Sequence, residues 1–326
     1  MNYFCLISFK TLINFPAPNG NTSKFIRILC LFLLLLPCVS RAEEERKILL
    51  INSAGSIEKY KLARDEFKKT ISYPVAEIDL DDKKWNASKL KDLVEDKHIS
   101  LVYCIGSKAY LAAIKYGDEK NIIFSSGINW RRLPMKQNTF VVSDELNTGM
   151  QLTLFRYIFP ELKRIGVLYS RQYTSQWFME TREAAAKMQI DIVGRPVTDS
   201  KQTLSALKGL LRESDVVWLI PDPVVLSEQK MLFSILKECQ ESKKAVFSFH
   251  RAFAAHGTTL IVSVDDQTVG RQAANIATRL LTGKTTPDKV QWPAGSDITL
   301  NQKRAKEYGL KSREGALSVV NRIIDY

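Results

Sequence analysis

The stretch KILLINS (residues 47–53) consists of a basic residue, an apolar run and a polar ending, and RIGVLYS (164–170) repeats that pattern. Two further pairs of runs echo each other at a nearly constant offset: ISLVYCIGS (99–107) with SDVVWLIPD (214–222), and NIIFS (121–125) with KAVFS (244–248). A chain that builds the same strand-and-helix lobe twice has a cleft between the lobes. Clefts are where small molecules bind.

Short, continuous, β-branched runs alternate with helical stretches after residue 46, which is typical of parallel strands covered by helices on both faces. The predicted strands lie at 47–53, 75–80, 99–106, 121–127, 139–143, 164–170, 190–197, 214–220, 244–250 and 258–264. The predicted helices lie at 57–71, 88–96, 107–117, 147–159, 174–188, 201–212, 227–241 and 267–281. This alternation predicts an α/β fold of two doubly wound parallel-sheet lobes.

The N-terminal region has the pattern of a secretory signal peptide over residues 1–42. Lys24 and Arg27 precede an apolar run that Pro37 ends, and Ala42 closes a small-residue cleavage site. The apolar run is too short for a comfortable membrane span. We therefore expect a periplasmic or otherwise extracytoplasmic protein that begins at residue 43, with a lipoprotein site at Cys38 as the alternative.

Composition argues against several classes of protein. The net charge is +12, but the basic residues are scattered among acids, so no nucleic-acid surface is expected. Cys104 and Cys239 lie among apolar neighbours and are predicted to be buried free thiols. The three histidines have no metal-ligand spacing, so neither a metal nor a cofactor is expected.

Catalytic motifs are missing from the sequence. It has no Gly-x-Ser-x-Gly elbow, no phosphate-binding loop of the Walker A type and no Gly-x-Gly-x-x-Gly after a strand. His250, Asp222 and a serine could be imagined as a triad, but His250 is better explained as a residue that caps a strand end or lines the cleft. The sequence therefore predicts a protein that is not an enzyme.

Candidate ligand-binding residues follow the strands, because open α/β sheets bind ligands at the carboxyl ends of their strands. These ends carry hydroxyls, glycine and aromatic rings at Ser53, Gly55, Ser107, Ser125, Ser126, Tyr169, Tyr173, Asp222, Ser248 and Phe249. We expect Asp222 to bind a ligand ammonium and Ser107, with the first N–H groups of its helix, to bind a carboxylate. Helix capping is the alternative for Ser53 and Ser107. For Asp222 the alternative is that it caps the helix that begins near Ser227 or hydrogen-bonds the local turn.

The strand ends show no obvious cluster of inward-facing arginines, and Trp130 adds a further aromatic ring beside them. This set of groups favours a small zwitterionic or amide ligand over a phosphate or a polyanion. The ligand class that we expect is therefore amino-acid-like.

Three stretches resemble a known family: ITLNQKRAKEYGL (298–310), FPELKRIGVLYS (159–170) and GRQAA (270–274) before LTGK (281–284). They are similar to the ABC-transporter substrate-binding family that includes tryptophan- and tyrosine-binding proteins. The resemblance implies a type I periplasmic-binding fold whose two lobes are joined by a three-segment hinge. It further implies a monomer that captures a small molecule by hinge closure and presents it to an ABC permease at the inner membrane.

The chain departs from the family's pattern at two places. Residues 133–140, LPMKQNTF, lack the Gly-Gly-Asn-x-Thr-Gly turn, and Asp222 is followed by Pro223 where the family has Asp-Asn. A sensing module that signals to a membrane receptor or kinase is therefore an alternative to transport. The gaps between repeated units predict residues 43–143 plus 264–285 as lobe I and 144–263 plus 286–326 as lobe II.

Overall fold

The structure is a computed structural model that describes residues 46–82, 85–283 and 288–326. These residues lie in the unit Glu45–Tyr326. The predicted signal peptide at 1–42 and the alternative lipoprotein site at Cys38 lie outside the described residues.

Sheet I has six strands within the described residues, in the order β11-β5-β4-β3-β1-β2, and all neighbouring strands run parallel. Its strands are β1 (Lys47–Asn52), β2 (Val75–Asp79), β3 (Ile99–Ile105), β4 (Asn121–Ser125), β5 (Thr139–Val142) and β11 (Val290–Gln291). The inner strands β1, β3 and β4 are buried almost throughout, because helices cover both faces of a parallel sheet.

Sheet II has seven strands within the described ranges, in the order β13-β12-β10-β9-β8-β6-β7. They are β6 (Arg164–Ser170), β7 (Asp191–Val197), β8 (Val216–Trp218), β9 (Ala245–Ser248), β10 (Leu260–Val264), β12 (Ser296–Asn301) and β13 (Arg322–Ile324). The strands from β6 to β10 are parallel, whereas β12 runs antiparallel to β10. The doubly wound α/β fold with two sheets is therefore confirmed.

The α-helices connect the strands and cover the sheets. They are α1 (Glu58–Thr70), α2 (Ala87–Glu95), α3 (Ser107–Ala113), α4 (Thr148–Ile158), α5 (Ser175–Ala186), α6 (Thr203–Glu213), α7 (Gln229–Glu241), α8 (Asp266–Leu281) and α9 (Gln302–Glu307). Short 3₁₀ turns lie at Trp130–Arg132, Ser200–Gln202, Arg251–His256 and Ala316–Val319. Side chains cap several helix starts: Asn147 accepts a hydrogen bond from the N–H of Met150, and Asp265 accepts one from the N–H of Gln267.

Helix α8 packs on sheet I, although it follows the sheet II strand β10. It contacts α1 along its length and also touches β3, β4 and β5. Gly270 lies directly against the backbone of α1, so the two helices approach closely where Ala63 and Phe67 are buried. The return of the chain to sheet I therefore forces a second crossing between the sheets.

The chain crosses between the sheets in three places: after β5, after β10 and between β11 and β12. The last crossing lies later than the sequence suggested, because Val290–Gln291 pairs with β5 in sheet I. The chain joins sheet II only from Ser296. The division into lobes stays a prediction, and its third boundary is better placed between these two strands than at 285/286.

One sequence prediction concerns the cysteines inside the fold. Cys104 in β3 and Cys239 in α7 are free and buried, as predicted.

Within the described part of the chain, no helix has both the length and the apolar character needed to cross a membrane. Over the same residues, no group of three or more histidine, cysteine, aspartate or glutamate side chains could hold a metal ion.

Replacing Gly270 with alanine tests the contact between α1 and α8. A Cβ there would lie 2.3 Å from the carbonyl oxygen of Ala63, so we expect Gly270→Ala to lower the free energy of unfolding by roughly 1–3 kcal/mol. Gly209→Ala in α6 is the matched control, since its Cβ would find its nearest atom at 3.8 Å and alanine should stabilise the helix by about 0.5–1 kcal/mol. Denaturant unfolding measures both; equal effects from the two variants would contradict the close contact.

Candidate functional site

A pocket of about 380 Å³ lies between the two sheets and takes its walls from both of them. The turn after β4 (128–132) and the first crossing (144–146) line it from one side. From sheet II come residues 173–177 after β6 and 218–221 at the end of β8. The pocket therefore lies at the carboxyl ends of parallel strands, as expected for an open α/β sheet.

The turn that follows β4 projects from sheet I towards the pocket. Ser126 and Asn129 have φ of 59° and 57°, which puts both in the left-handed region and redirects the chain sharply. Between them, Gly127 lies so close to the ring of Phe124 that a Cβ would overlap it. The 3₁₀ turn Trp130–Arg132 begins immediately afterwards.

Arg131 fixes this turn against the crossings. Its guanidinium bonds to the carboxylate of Glu145 at 2.6 Å, in the first crossing. The same guanidinium lies 4.6 Å from the centre of the Trp130 ring and 5.5 Å from that of Trp292, in the third crossing. Cation–π contacts and an ion pair together therefore tie the turn to two of the three crossings.

Arg132 reaches across the pocket to sheet II. Its guanidinium carbon lies 4.3 Å from the centre of the Tyr173 ring, which follows β6. Among the described residues Arg132 has no carboxylate within ion-pair distance, and it is exposed. This guanidinium is therefore free to bind an anionic group of a ligand.

Aromatic rings form the wall of the pocket on the sheet II side. Trp177 and Trp218 meet edge to face with their centres 5.2 Å apart, and Trp218 meets Phe155 in the same way at 5.0 Å. The indole N–H of Trp177 donates to Thr148 Oγ1 at 3.1 Å, which holds that ring in place. Phe249, which follows β9, also lines the pocket. A rigid aromatic wall suits a flat apolar group.

Polar side chains lie beside the aromatic wall of the pocket. Gln151 in α4 is buried and donates to the carbonyl of Leu146 at 3.2 Å. Glu180 in α5 accepts a hydrogen bond from Gln176 at 2.9 Å and remains exposed. The pocket thus combines one free cation, one exposed carboxylate of α5 and an aromatic wall.

Two ion pairs lie beside the pocket, at the first and second crossings. Lys59 of α1 binds Asp144 with 2.6 Å between Nζ and Oδ2, and Arg251 lies 3.5 Å from Asp266 at the start of α8. They line an adjoining space of about 350 Å³ that also includes His250. The Arg251–Asp266 pair joins the 3₁₀ turn after β9 to the helix that covers sheet I.

Burial and neighbouring charges shift the pKa of these groups. Burial raises the pKa of Asp266 from 3.8 to about 7, although Lys59 and Arg251 oppose the change. Burial lowers the pKa of Lys59, but the charge and hydrogen bond of Asp144, together with Tyr60 and Asp266, raise it, and the net shift is upwards. Burial and the charge of Lys59 lower the pKa of His250.

Several of the predicted ligand residues of sheet I form hydrogen bonds within their own half of the molecule. Ser53 Oγ accepts the N–H of Ala109 and so caps α3, and the N–H of Gly55 donates to Asp79. Ser125 bonds to the hydroxyl of Tyr103 and lies 3.4 Å from the hydroxyl of Ser126.

The residues that line the pocket from the sheet I side belong to 128–132 and to the first crossing, and these strand ends are not among them. Ser107 begins α3. Like the other predicted ligand residues of sheet I, it does not line the pocket. The helix-capping alternative fits Ser53, and a role in ligand binding stays a prediction for the whole set.

The predicted residues of sheet II divide into two groups. Tyr173 and Phe249 line the pocket. Tyr169 instead stacks on Phe178 with ring centres 4.2 Å apart, and Ser248 is buried with no hydrogen-bond partner for its hydroxyl among the described residues. The fifth, Asp222, does not line this pocket either, so the structure brings two of the five predicted side chains of sheet II to it.

The contacts of Asp222 fit the alternative in which this carboxylate bonds to its own turn and not to a ligand. It is 1% exposed, and its Oδ2 accepts hydrogen bonds from Ser170 N at 2.7 Å and from Thr174 Oγ1 at 2.5 Å. Its Oδ1 accepts the N–H groups of Val224 and Val225 at 2.8 and 2.9 Å. The carboxylate is thus engaged by its own chain, which disfavours the predicted contact with a ligand ammonium.

Sequence reasoning missed the arginines of the turn after β4. No obvious cluster of inward-facing arginines was expected at the strand ends, and the structure places Arg131 and Arg132 along the lining of the pocket. The sequence did contain a signal for them, because both arginines follow the carboxyl end of a predicted strand and lie next to Trp130, a predicted aromatic neighbour of the site. Trp177, Trp218 and Gln151 were missed as well, since each lies inside or directly beside a predicted element.

The paired sheets, the three crossings and the pocket between them define a type I periplasmic-binding fold. A substrate-binding protein with adhesive properties from Clostridium difficile, solved in its ligand-free, open form, has this fold with a TM-score of 0.67 and 18% identity. The alignment covers 86% of this chain and all of that one. An ABC domain from Streptococcus pneumoniae in complex with L-Trp gives a TM-score of 0.59 at 19% identity, with the same coverage.

The chain belongs to the family of ABC transporter substrate-binding proteins, whose family model matches residues 64–323. The family resemblance noted in the sequence is thereby confirmed, and the family is one of solute-binding proteins rather than enzymes. A tyrosine-binding protein of Clostridioides difficile (strain R20291) is 22% identical over 153 residues. That match spans 46% of this chain and 44% of the relative's length.

Asp222→Asn tests whether this carboxylate is structural. An amide offers one oxygen instead of two to the surrounding donors, so we expect the ligand-free protein to lose roughly 1.5–3 kcal/mol of stability. Ligand affinity should stay within about twofold of the wild-type value. Thermal unfolding and calorimetric titration of the one variant measure both quantities. An unchanged melting temperature with a large loss of affinity would return Asp222 to the ligand site.

Asp266 gives the protein a defined pH dependence. Its pKa is raised from 3.8 to about 7 in the folded state, so between these values the folded protein holds a proton that the unfolded chain releases. Stability should therefore fall as the pH rises from about 4 to about 7. Asp266→Asn should flatten this slope in unfolding experiments. Asp265→Asn, at the neighbouring helix cap, should reduce it only slightly, because the charge of Asp265 makes a small contribution beside burial to the raised pKa of Asp266. An equally steep slope in Asp266→Asn would contradict the assignment.

Proposed function

We propose that the protein is an exported solute-binding protein that captures an aromatic, amino-acid-like ligand in the pocket between its sheets. The observation that carries the proposal is the pairing of a free guanidinium, Arg132, with a rigid wall of aromatic rings in one pocket. The ligands named for two similar proteins, tyrosine and L-Trp, support the same class.

The groups around the pocket suggest how such a ligand would be held. Its ring would pack on Trp177 and Trp218, where an offset or edge-to-face arrangement is favourable. Its carboxylate would take two parallel hydrogen bonds from Arg132, and its ammonium would face the carboxylate of Glu180. Each part of a zwitterionic aromatic amino acid thus has a complementary group.

Capture would proceed by closure of the two lobes about the three crossings. A ligand that touches the turn 128–132 and the aromatic wall at once binds the closed arrangement better than an open one, and therefore shifts the population towards it. The contact between Arg132 and Tyr173 already spans the pocket. A ligand carboxylate would share this guanidinium, so binding and closure would use the same residue.

The partner in this proposal is an ABC permease at the inner membrane. The closed form would dock on it from the extracytoplasmic side, as the family's role in transport requires. The protein would act as a monomer, because each chain contributes both walls of its own pocket.

Arg132→Ala tests the proposed site. Calorimetric titration with L-tryptophan and L-tyrosine should show binding to the wild type, and inorganic phosphate should show none. The variant should bind roughly 10- to 100-fold more weakly, since a charge-assisted hydrogen bond contributes about 1.5–3 kcal/mol. Its melting temperature without ligand should hardly change, because the side chain is exposed.

Arg313→Ala is the matched control. The guanidinium carbon of this arginine lies 5.3 Å from the centre of the exposed Tyr157 ring, so it repeats the cation–π contact away from the pocket. The control should bind as the wild type does. Binding of phosphate without binding of any amino acid would overturn the proposed ligand class.

A further inference from the structure

A second space of about 400 Å³ adjoins the pocket, on the far side of Phe249. It too is lined from both sides of the cleft. Ile128 and Asn129 contribute from sheet I, and the segments after β8 and β9 contribute from sheet II. We call this space the apolar compartment, and its residues from sheet II lie at 221–233 and 249–256.

The walls of the apolar compartment are mainly hydrocarbon. Leu226, Leu232, Phe233 and Phe253 lie on the sheet II side, and Phe233 is 38% exposed. Partial exposure of so large a ring at a concave surface is unfavourable in water, and covering it would stabilise the complex with any apolar group that fits.

Ring-to-ring contacts hold these walls in place. Phe253 meets Phe249 at a right angle with their centres 5.4 Å apart, and Phe233 meets His256 edge to face at 4.7 Å. An ordered aromatic surface loses little side-chain entropy when a ligand arrives. The compartment is therefore preorganised for an apolar group.

The polar groups beside the compartment are already engaged or lie at its edge. Asp222 accepts hydrogen bonds from its own chain, and His250 Nδ1 accepts the N–H of Ala252 at 3.1 Å. Glu228 and Gln229 are exposed at the outer rim. His256 also lines the compartment, where its ring packs on Phe233. Since most of the lining is hydrocarbon, an apolar ligand group fits the compartment better than a charged one.

The compartment is continuous with the pocket proposed to bind the amino acid. Ile128, Asn129, Pro221 and Phe249 line both spaces. A ligand that is anchored at Arg132 can therefore extend past Phe249 without leaving the cleft. The two spaces are of similar size, so a free amino acid that occupies the first leaves the second empty.

We propose that the ligand carries a second apolar group, as a dipeptide of two aromatic or large aliphatic residues does, and that this group binds in the apolar compartment. This inference rests on the proposed function, because it assigns the amino-acid part of the ligand to the first pocket. A peptide bond supplies the short, rigid connection between two side chains, and its N–H and C=O groups can bond to Asn129 at the boundary.

Calorimetric titration with four probes tests the inference: L-tyrosine, Tyr-Gly, Tyr-Phe and Phe-Tyr. At least one of the two aromatic dipeptides should bind about tenfold more tightly than Tyr-Gly, which lacks the second apolar group. That factor corresponds to about 1.4 kcal/mol, as expected for covering part of one ring. L-tyrosine should bind no more weakly than Tyr-Gly, because the peptide bond removes one of the two charged groups that the first pocket is proposed to hold.

Two variants locate the effect. Phe233→Ser should remove most of the tenfold advantage and leave the affinity for L-tyrosine unchanged. Gln229→Trp places a bulky side chain at the rim and should weaken only the aromatic dipeptides. Leu111→Ser is the control, since Leu111 is 39% exposed on α3 and lies on the sheet I side, outside the compartment.

The outcomes separate this inference from the proposed function. L-tyrosine binding with no gain for either aromatic dipeptide over Tyr-Gly overturns the inference and leaves the proposed function standing. A tenfold gain that Phe233→Ser does not reduce also overturns it, because the second group then binds elsewhere. Failure of all four probes to bind overturns both.

Discussion

The contact between α1 and α8 is the constraint on which the rest of the structure depends. The chain completes the parallel part of sheet II and then returns to lay α8 on sheet I, where Gly270 meets the backbone of Ala63. That return requires a second crossing, and the later strand β12 requires a third. Three crossings hold the carboxyl edges of the two sheets opposite each other, and the pocket lies between those edges.

The two halves of the repeat use their strand ends differently. In sheet I the hydroxyls of Ser53 and Ser125 bond within their own lobe, and the turn 128–132 contacts the pocket in their place. In sheet II the segments after β6, β8 and β9 line the pocket directly with aromatic rings. A repeated fold therefore carries an asymmetric site, with the cation on one side and the aromatic wall on the other.

Most of the fold could be predicted from the sequence, because alternating apolar runs such as KILLINS and RIGVLYS determine strand positions locally. The site could be predicted only in part. The turn that carries Arg132 to the pocket needs a left-handed backbone at Ser126 and Asn129. That conformation depends on tertiary packing, which no local sequence pattern reveals. The sequence predicted Asp222 as a ligand residue because it follows a strand. The four groups that donate hydrogen bonds to its carboxylate come together only in the folded chain, so they could not be seen in the sequence.

The two buried cysteines give each half of the molecule its own internal probe. Cys104 lies in β3 of sheet I, and Cys239 lies in α7 beside sheet II. Burial raises the pKa of both thiols, that of Cys239 to about 12, so neither forms an appreciable thiolate while its surroundings stay folded. Modification of either thiol therefore requires local opening. The rate at which each cysteine reacts with a thiol reagent thus reports the free energy of local opening around that residue, without any engineered label.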